Sequence, residues 1–157
     1  MAILYSDQFN TSTTTATSSG VLSATTVADD KTPQPERVGD VVQFRAVFAT
    51  AIPLTGDKLR ICKVRKGARL GLLSFTTSAD MDSGTGSDAK IGWETTDDDA
   101  FGASFAGFES ATTTTIAQSV LNAAVATGVE EYLTVTMLGD CTTTGILTVV
   151  GEIIYPS

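Results

Sequence analysis

Residues 56–75 read GDKLRICKVRKGARLGLLSF. Lys58, Arg60, Lys63, Arg65, Lys66 and Arg69, six of the ten basic residues in the chain, fall in this stretch, although the formal net charge of the protein is −8. Leu59 and Ile61 alternate with the charges, the period of a strand with one buried face. Lys66-Gly67 supplies a tight turn, and Leu70, Leu72 and Leu73 open a second apolar run. The stretch therefore reads as a basic β-hairpin whose second strand continues from Leu72 to Thr77. It describes a soluble β domain that binds something, with no catalytic motif beside it.

The same strand period holds on both sides. In VGDVVQFRAVFATAIPL (38–54), Val42, Phe44, Ala46 and Phe48 share one face and Gln43, Arg45 and Val47 the other. Pro53 ends that strand, because proline cannot donate to a ladder. At the C-terminus EEYLTVTMLGD (130–140) sets Leu133, Val135 and Met137 against Tyr132, Thr134, Thr136 and Leu138. CTTTG makes a bend, and ILTVVGEIIYPS (146–157) returns with Leu147, Val149, Gly151, Ile153 and Tyr155 on one face. This reads as a second hairpin. Trp93, Phe101, Phe105 and Phe108 are core or subunit-contact aromatics, while Asp97, Asp98 and Asp99 form a like-charge run that belongs in solvent. SATTTTIAQSVLNAAVATG (110–128) mixes four threonines with helical spacing and reads as strand or loop around one short helix.

The first 36 residues differ. Ile3, Leu4, Tyr5 and Phe9 precede a tract of Ser and Thr closed by Pro33 and Pro35, with too little apolar surface to fold by itself. Such a tract is either a disordered tail or an extended arm that orders against a neighbouring subunit; Ile3, Leu4, Tyr5 and Phe9 look like an anchor and tip the expectation to an arm, 1–36, followed by a β-sandwich domain, 37–157. Such sandwiches have edges that must be covered, and an arm exchanged between subunits can cover them.

Composition excludes several functions. At 157 residues with 42% apolar content the chain suits one domain with a substantial core. A sequence pI near 4.3 argues against nucleic acid as a partner. There is no histidine, which removes histidine-activated nucleophiles, histidine metal sites and the usual general base near neutral pH. Cys62 and Cys141 have neither metal nor redox spacing and are read as free thiols. Asp80, Asp82 and Asp88 lie in a Gly-rich loop that lacks the EF-hand pattern and reads as a solvated turn, with a weak cation site of another kind as the alternative. No catalytic residue, metal site or cofactor is expected, and the protein is read as a non-enzyme. No segment reads as an export signal or membrane span, so synthesis in a cytoplasm is expected.

The layout resembles the capsid decoration, or cement, proteins of tailed bacteriophages. The positions that carry the likeness are Gly56, Asp57, Leu59, Ile61, Lys63, Val64, Gly67, Ala68, Arg69 and Leu70, then Asp80 and Gly92, with the terminal ILTVVGEIIYPS. What the resemblance implies is a β-sandwich of jelly-roll type that trimerises on the exterior of an icosahedral shell and clamps neighbouring major capsid proteins. On that reading the band from Lys58 to Arg69 docks on acidic capsid surface, an inference from charge. A receptor-binding fibre head or a secreted carbohydrate-binding module is the alternative; the first would normally follow a repetitive shaft and the second an export signal.

Overall fold

Alternate burial along most strands organises the chain into two facing sheets. The computed structural model describes residues 1, 3–6, 9–16, 22–30, 41–51, 53–81, 89–128 and 130–155. Among these, the strands are β1 (Ile3–Tyr5), β2 (Phe9–Ala16), β3 (Leu22–Asp30), β4 (Val41–Ala51), β5 (Lys58–Arg65), β6 (Arg69–Thr77), β7 (Ala89–Trp93), β8 (Asp97–Phe105), β9 (Thr113–Thr115), β10 (Glu130–Met137) and β11 (Gly145–Ile154). One short helix, α1 (Gln118–Ala123), lies between β9 and β10. The strand order is β1-β5-β10-β7-β8 in a five-stranded sheet and β4-β11-β6-β9 in a four-stranded one, while β2 and β3 pair only with each other. The chain is an all-β sandwich.

The two hairpins expected from the sequence are both corrected. β5 lies in the five-stranded sheet and β6 in the four-stranded one, and β10 and β11 divide in the same way. Each pair is an arch that carries the chain across the core. A period of two shows that a strand buries one face; it does not say whether the next strand lies beside it or opposite it. From β4 to β11 the chain changes sheet at every connection except that between β7 and β8.

The faces themselves agree with the alternation. Phe44, Ala46 and Phe48 of β4, Leu133, Val135 and Met137 of β10, and Leu147, Val149 and Ile153 of β11 are buried between the sheets. So are Trp93, Phe101, Phe105 and Phe108. Trp93 and Phe101 meet edge-on at 5.0 Å, and Phe105 contacts Phe75 at 5.0 Å and Phe108 at 6.0 Å, geometries that favour aromatic pairs beyond their burial. Cys62 and Cys141 are buried free thiols. The 110–128 region holds β9 and α1, and the helix buries its own Leu121.

Two bulges shift the pattern where alternation alone misleads. Opposite β10 the register passes from Cys62 to Arg60, leaving Ile61 as an extra residue, so Ile61 and Cys62 are both buried. Opposite β11 it passes from Leu72 to Leu70, and Gly71 is the extra residue. Leu72 therefore turns outward, while Leu70 and Leu73 stay in the core.

The N-terminal segment forms three strands. β1 runs parallel to β5, with Ile3 beside Lys58, Leu4 beside Leu59 and Tyr5 beside Arg60. The buried Ser6 continues this contact, its hydroxyl donating to the Ile61 carbonyl at 2.7 Å. β1 thus covers an edge of its own sandwich. Of the aspartate loop, Asp80 is exposed, and Asp82 and Asp88 lie outside the described residues.

Candidate docking surface

The band from Lys58 to Arg69 divides into two parts with different chemistry. On β5 the inward residues Leu59, Ile61 and Val64 leave Lys58, Arg60 and Lys63 half-buried on the outer side of the sheet. Antiparallel pairing through β10 to β7 brings this side against Glu94, which follows β7. Arg60 grips Glu94 with two bonds, Nε to Oε2 at 2.6 Å and a terminal nitrogen to Oε1 at 2.9 Å. Lys58 Nζ stands 3.5 Å from Oε1. Thr134 donates to Oε2 at 3.3 Å, and the guanidinium lies 4.1 Å from the centre of the Tyr132 ring. Burial pushes the Glu94 carboxyl up, but the Arg60 and Lys58 charges outweigh it and hold the group below its ordinary value.

A second carboxylate fixes the turn that presents Glu94. Glu131 of β10 is buried, and its carboxylate accepts from the Thr95 amide at 3.0 Å, the Thr95 hydroxyl at 2.7 Å and the Thr96 hydroxyl at 2.9 Å. All three donors lie in the 94–96 turn between β7 and β8. A buried carboxylate surrounded by donors in this way is a positioning element.

Arg65, Lys66 and Arg69 occupy the arch between β5 and β6, and all three are exposed. Gly67 has φ 89°, a conformation in which glycine carries no side-chain penalty. The Ala68 amide bonds the Arg65 carbonyl at 3.2 Å, the Gly67 amide the Ala126 carbonyl at 2.7 Å, and the Ala126 amide the Ala68 carbonyl at 2.9 Å. The Arg65 amide also donates to the Tyr155 hydroxyl at 3.2 Å. The arch is a fixed platform with three cations on its outside. None of the three side chains belongs to an ion pair among the described residues.

The sequence identified the cations but not their division. Glu94, Glu131 and Tyr132 lie about thirty to seventy residues away along the chain and meet the band only through strand register, for which no local signal exists. Of the apolar residues expected to anchor the arm, Ile3 is half-buried and Leu4 and Tyr5 pair with β5 through their backbones. Phe9 opens β2 opposite Asp30. Among the described residues no three His, Cys, Asp or Glu side chains come together as a metal-ligand set.

The sequence matches no protein-family model and no curated protein. In fold, it is similar to chains found in three phage capsids. A chain in the capsid of Ralstonia phage GP4 superimposes with a TM-score of 0.62 at 15% identity, over 80% of this chain and 91% of the other. One in the cyanophage Pam1 capsid asymmetric unit gives 0.52 at 15% identity, over 82% and 94%. One in the acid-stable capsid of Helicobacter pylori bacteriophage KHP30 gives 0.50 at 16% identity, over 76% and 92%. The likeness is one of fold and takes in most of this chain and more than nine tenths of each of those chains.

Proposed function

We propose that the protein is a structural, non-enzymatic component of a phage virion. It binds the outer surface of an icosahedral capsid as an oligomer, a trimer on the present reading, and stabilises the shell by bridging major capsid proteins. The observation that carries this is the likeness over nine tenths of three separate chains, each from a phage capsid. The order β4-β11-β6-β9 facing β5-β10-β7-β8, with a change of sheet at nearly every connection, supports the jelly-roll form of the sandwich.

The docking contact on this reading is the arch. Lys58 and Arg60 are committed to Glu94, so the exposed Arg65, Lys66 and Arg69 are the cations left to meet an acidic capsid surface. Rim charges of this kind set orientation and association rate, while apolar contact supplies most of the affinity. The carbohydrate-binding alternative loses its platform, because Trp93, Phe101, Phe105 and Phe108 all point into the core. The direct test of stabilisation is to heat empty shells, assembled from the major capsid protein encoded with this chain, with and without the protein. A raised temperature of shell disruption is expected; an unchanged one overturns the proposal.

A further inference from the structure

Among the described residues, two surfaces have no counterpart. The ribbon formed by β2 and β3 belongs to neither sheet of the sandwich, and among the described residues its one extensive contact beyond itself is with the three-residue β1. A two-stranded ribbon standing alone is marginally stable at best in water and needs a third strand or an apolar surface to rest on.

The second surface is the outer face of the four-stranded sheet. Register places Ile154 between Val41 and Arg69, Glu152 between Gln43 and Leu72, and Val150 between Arg45 and Ser74. Val41 is 55% exposed, Ile146 41%, Val150 39% and Leu72 37%. Exposed aliphatic side chains therefore lie along β11 and its neighbours in β4 and β6, interrupted by Thr148 and by Glu152, which accepts from the Gln43 side-chain amide at 3.1 Å. The outer face of the other sheet is polar in comparison, carrying Lys58, Arg60, Lys63 and Glu94. A clustered aliphatic surface rimmed by charges marks an interaction site.

We propose that the β2–β3 ribbon of one copy packs on the outer face of the four-stranded sheet of a second copy. Each surface is what the other lacks, and a single kind of chain supplies both. Lengths agree: the strands of the ribbon have 8 and 9 residues, against 11 in β4 and 10 in β11. Charge agrees as well. Neither ribbon strand contains Lys or Arg, and β3 ends in Asp29 and Asp30, opposite Asn10 and Phe9; the face carries two cations, Arg45 and Arg69, against one carboxylate, Glu152, which is bonded to Gln43. Because ribbon and face are different surfaces the contact is heterologous, and copies joined in this way close into a ring when the rotation between them permits. The inference rests on the oligomeric part of the function proposed above and is independent of shell binding.

The test uses the full chain and two variants in light scattering, without shells, at about 100 µM, where an interface of micromolar affinity is filled. One variant lacks residues 9–30 and keeps the face. The other carries Leu72→Glu and Val150→Glu and keeps the ribbon; the milder pair Leu72→Gln and Val150→Thr replaces it if its melting is not cooperative. The full chain is expected to be an oligomer and each variant a monomer. An equal mixture of the two variants is expected to form a dimer, since it restores one ribbon–face contact. A monomeric full chain, a variant that keeps the full oligomer, or a mixture that stays monomeric overturns the proposal. None of these results bears on shell binding, which is measured separately.

Discussion

Glu94 shows how a single residue changes the meaning of a charge cluster. Two of the six cations that make residues 56–75 conspicuous are neutralised by it, within a side chain only 7% exposed. Replacing it by glutamine leaves Arg60 and Lys58 half-buried without their counter-ion. The loss is expected to be about 1–3 kcal/mol, the usual scale for hydrogen bonds to charged groups, read as a fall of several degrees in Tm. The pH dependence follows from the lowered carboxyl. The folded chain releases this proton more readily than the unfolded one, so the contribution is complete above the ordinary glutamate value of 4.5 and fades as acid carries the protein down through the lower folded value. Glu94→Gln should therefore lose less stability than the wild type on acidification to about pH 3, as seen in urea melts across that range. An equal acid loss in both proteins contradicts this account of Glu94. Gly151 is the second decisive residue. A Cβ built there would stand 2.5 Å from the Phe44 ring and 2.8 Å from the Leu72 carbonyl oxygen. Gly151→Val is expected to cost about 2–3 kcal/mol through overpacking, a drop of roughly 4–12 °C in Tm for a domain of this size. A Tm within a degree of wild type contradicts the packing described.

At the scale of elements, the alternation along β4, β10 and β11 made the inward faces legible residue by residue. Partners were not legible, because a tight turn such as Lys66-Gly67 can join neighbours in one sheet or arch between two. The bulges at Ile61 and Gly71 were hidden for a related reason: an extra residue is visible only against the strand opposite it. The candidate site was legible in its cations and illegible in their counter-ion, Glu94, which follows β7 and whose turn is held by Glu131 of β10. β11 carries the clearest consequence. It lies inside the four-stranded sheet, paired with β4 on one side and β6 on the other, and its end places Ile153 in the core and the Tyr155 hydroxyl on the Arg65 amide. Removing Ile153 to Tyr155 should abolish soluble, cooperatively melting protein. A truncated chain with a cooperative thermal transition contradicts the placement of β11.

The whole molecule is an acidic sandwich, net charge −8, with one basic arch held rigid by Gly67, Ala126 and Tyr155. Such a body repels copies of itself at long range, and on the function proposed above the arch is the region that meets an acidic partner. The exposed cations contribute little to stability, so the arch can be reversed in charge without unfolding the domain. Lys63, half-buried on β5, is a poorer position for that experiment than Arg69, which is exposed at the start of β6. The most direct measurement is co-sedimentation of micromolar protein with empty shells, comparing the wild type with a variant carrying Arg65→Glu, Lys66→Glu and Arg69→Glu. The wild type is predicted to pellet with the shells, and the variant to bind about tenfold more weakly or worse, a change of at least ~1.4 kcal/mol, with its Tm nearly unchanged. A wild-type protein that stays in the supernatant contradicts the capsid-binding function, and a variant that pellets as well as the wild type contradicts the arch as its docking surface.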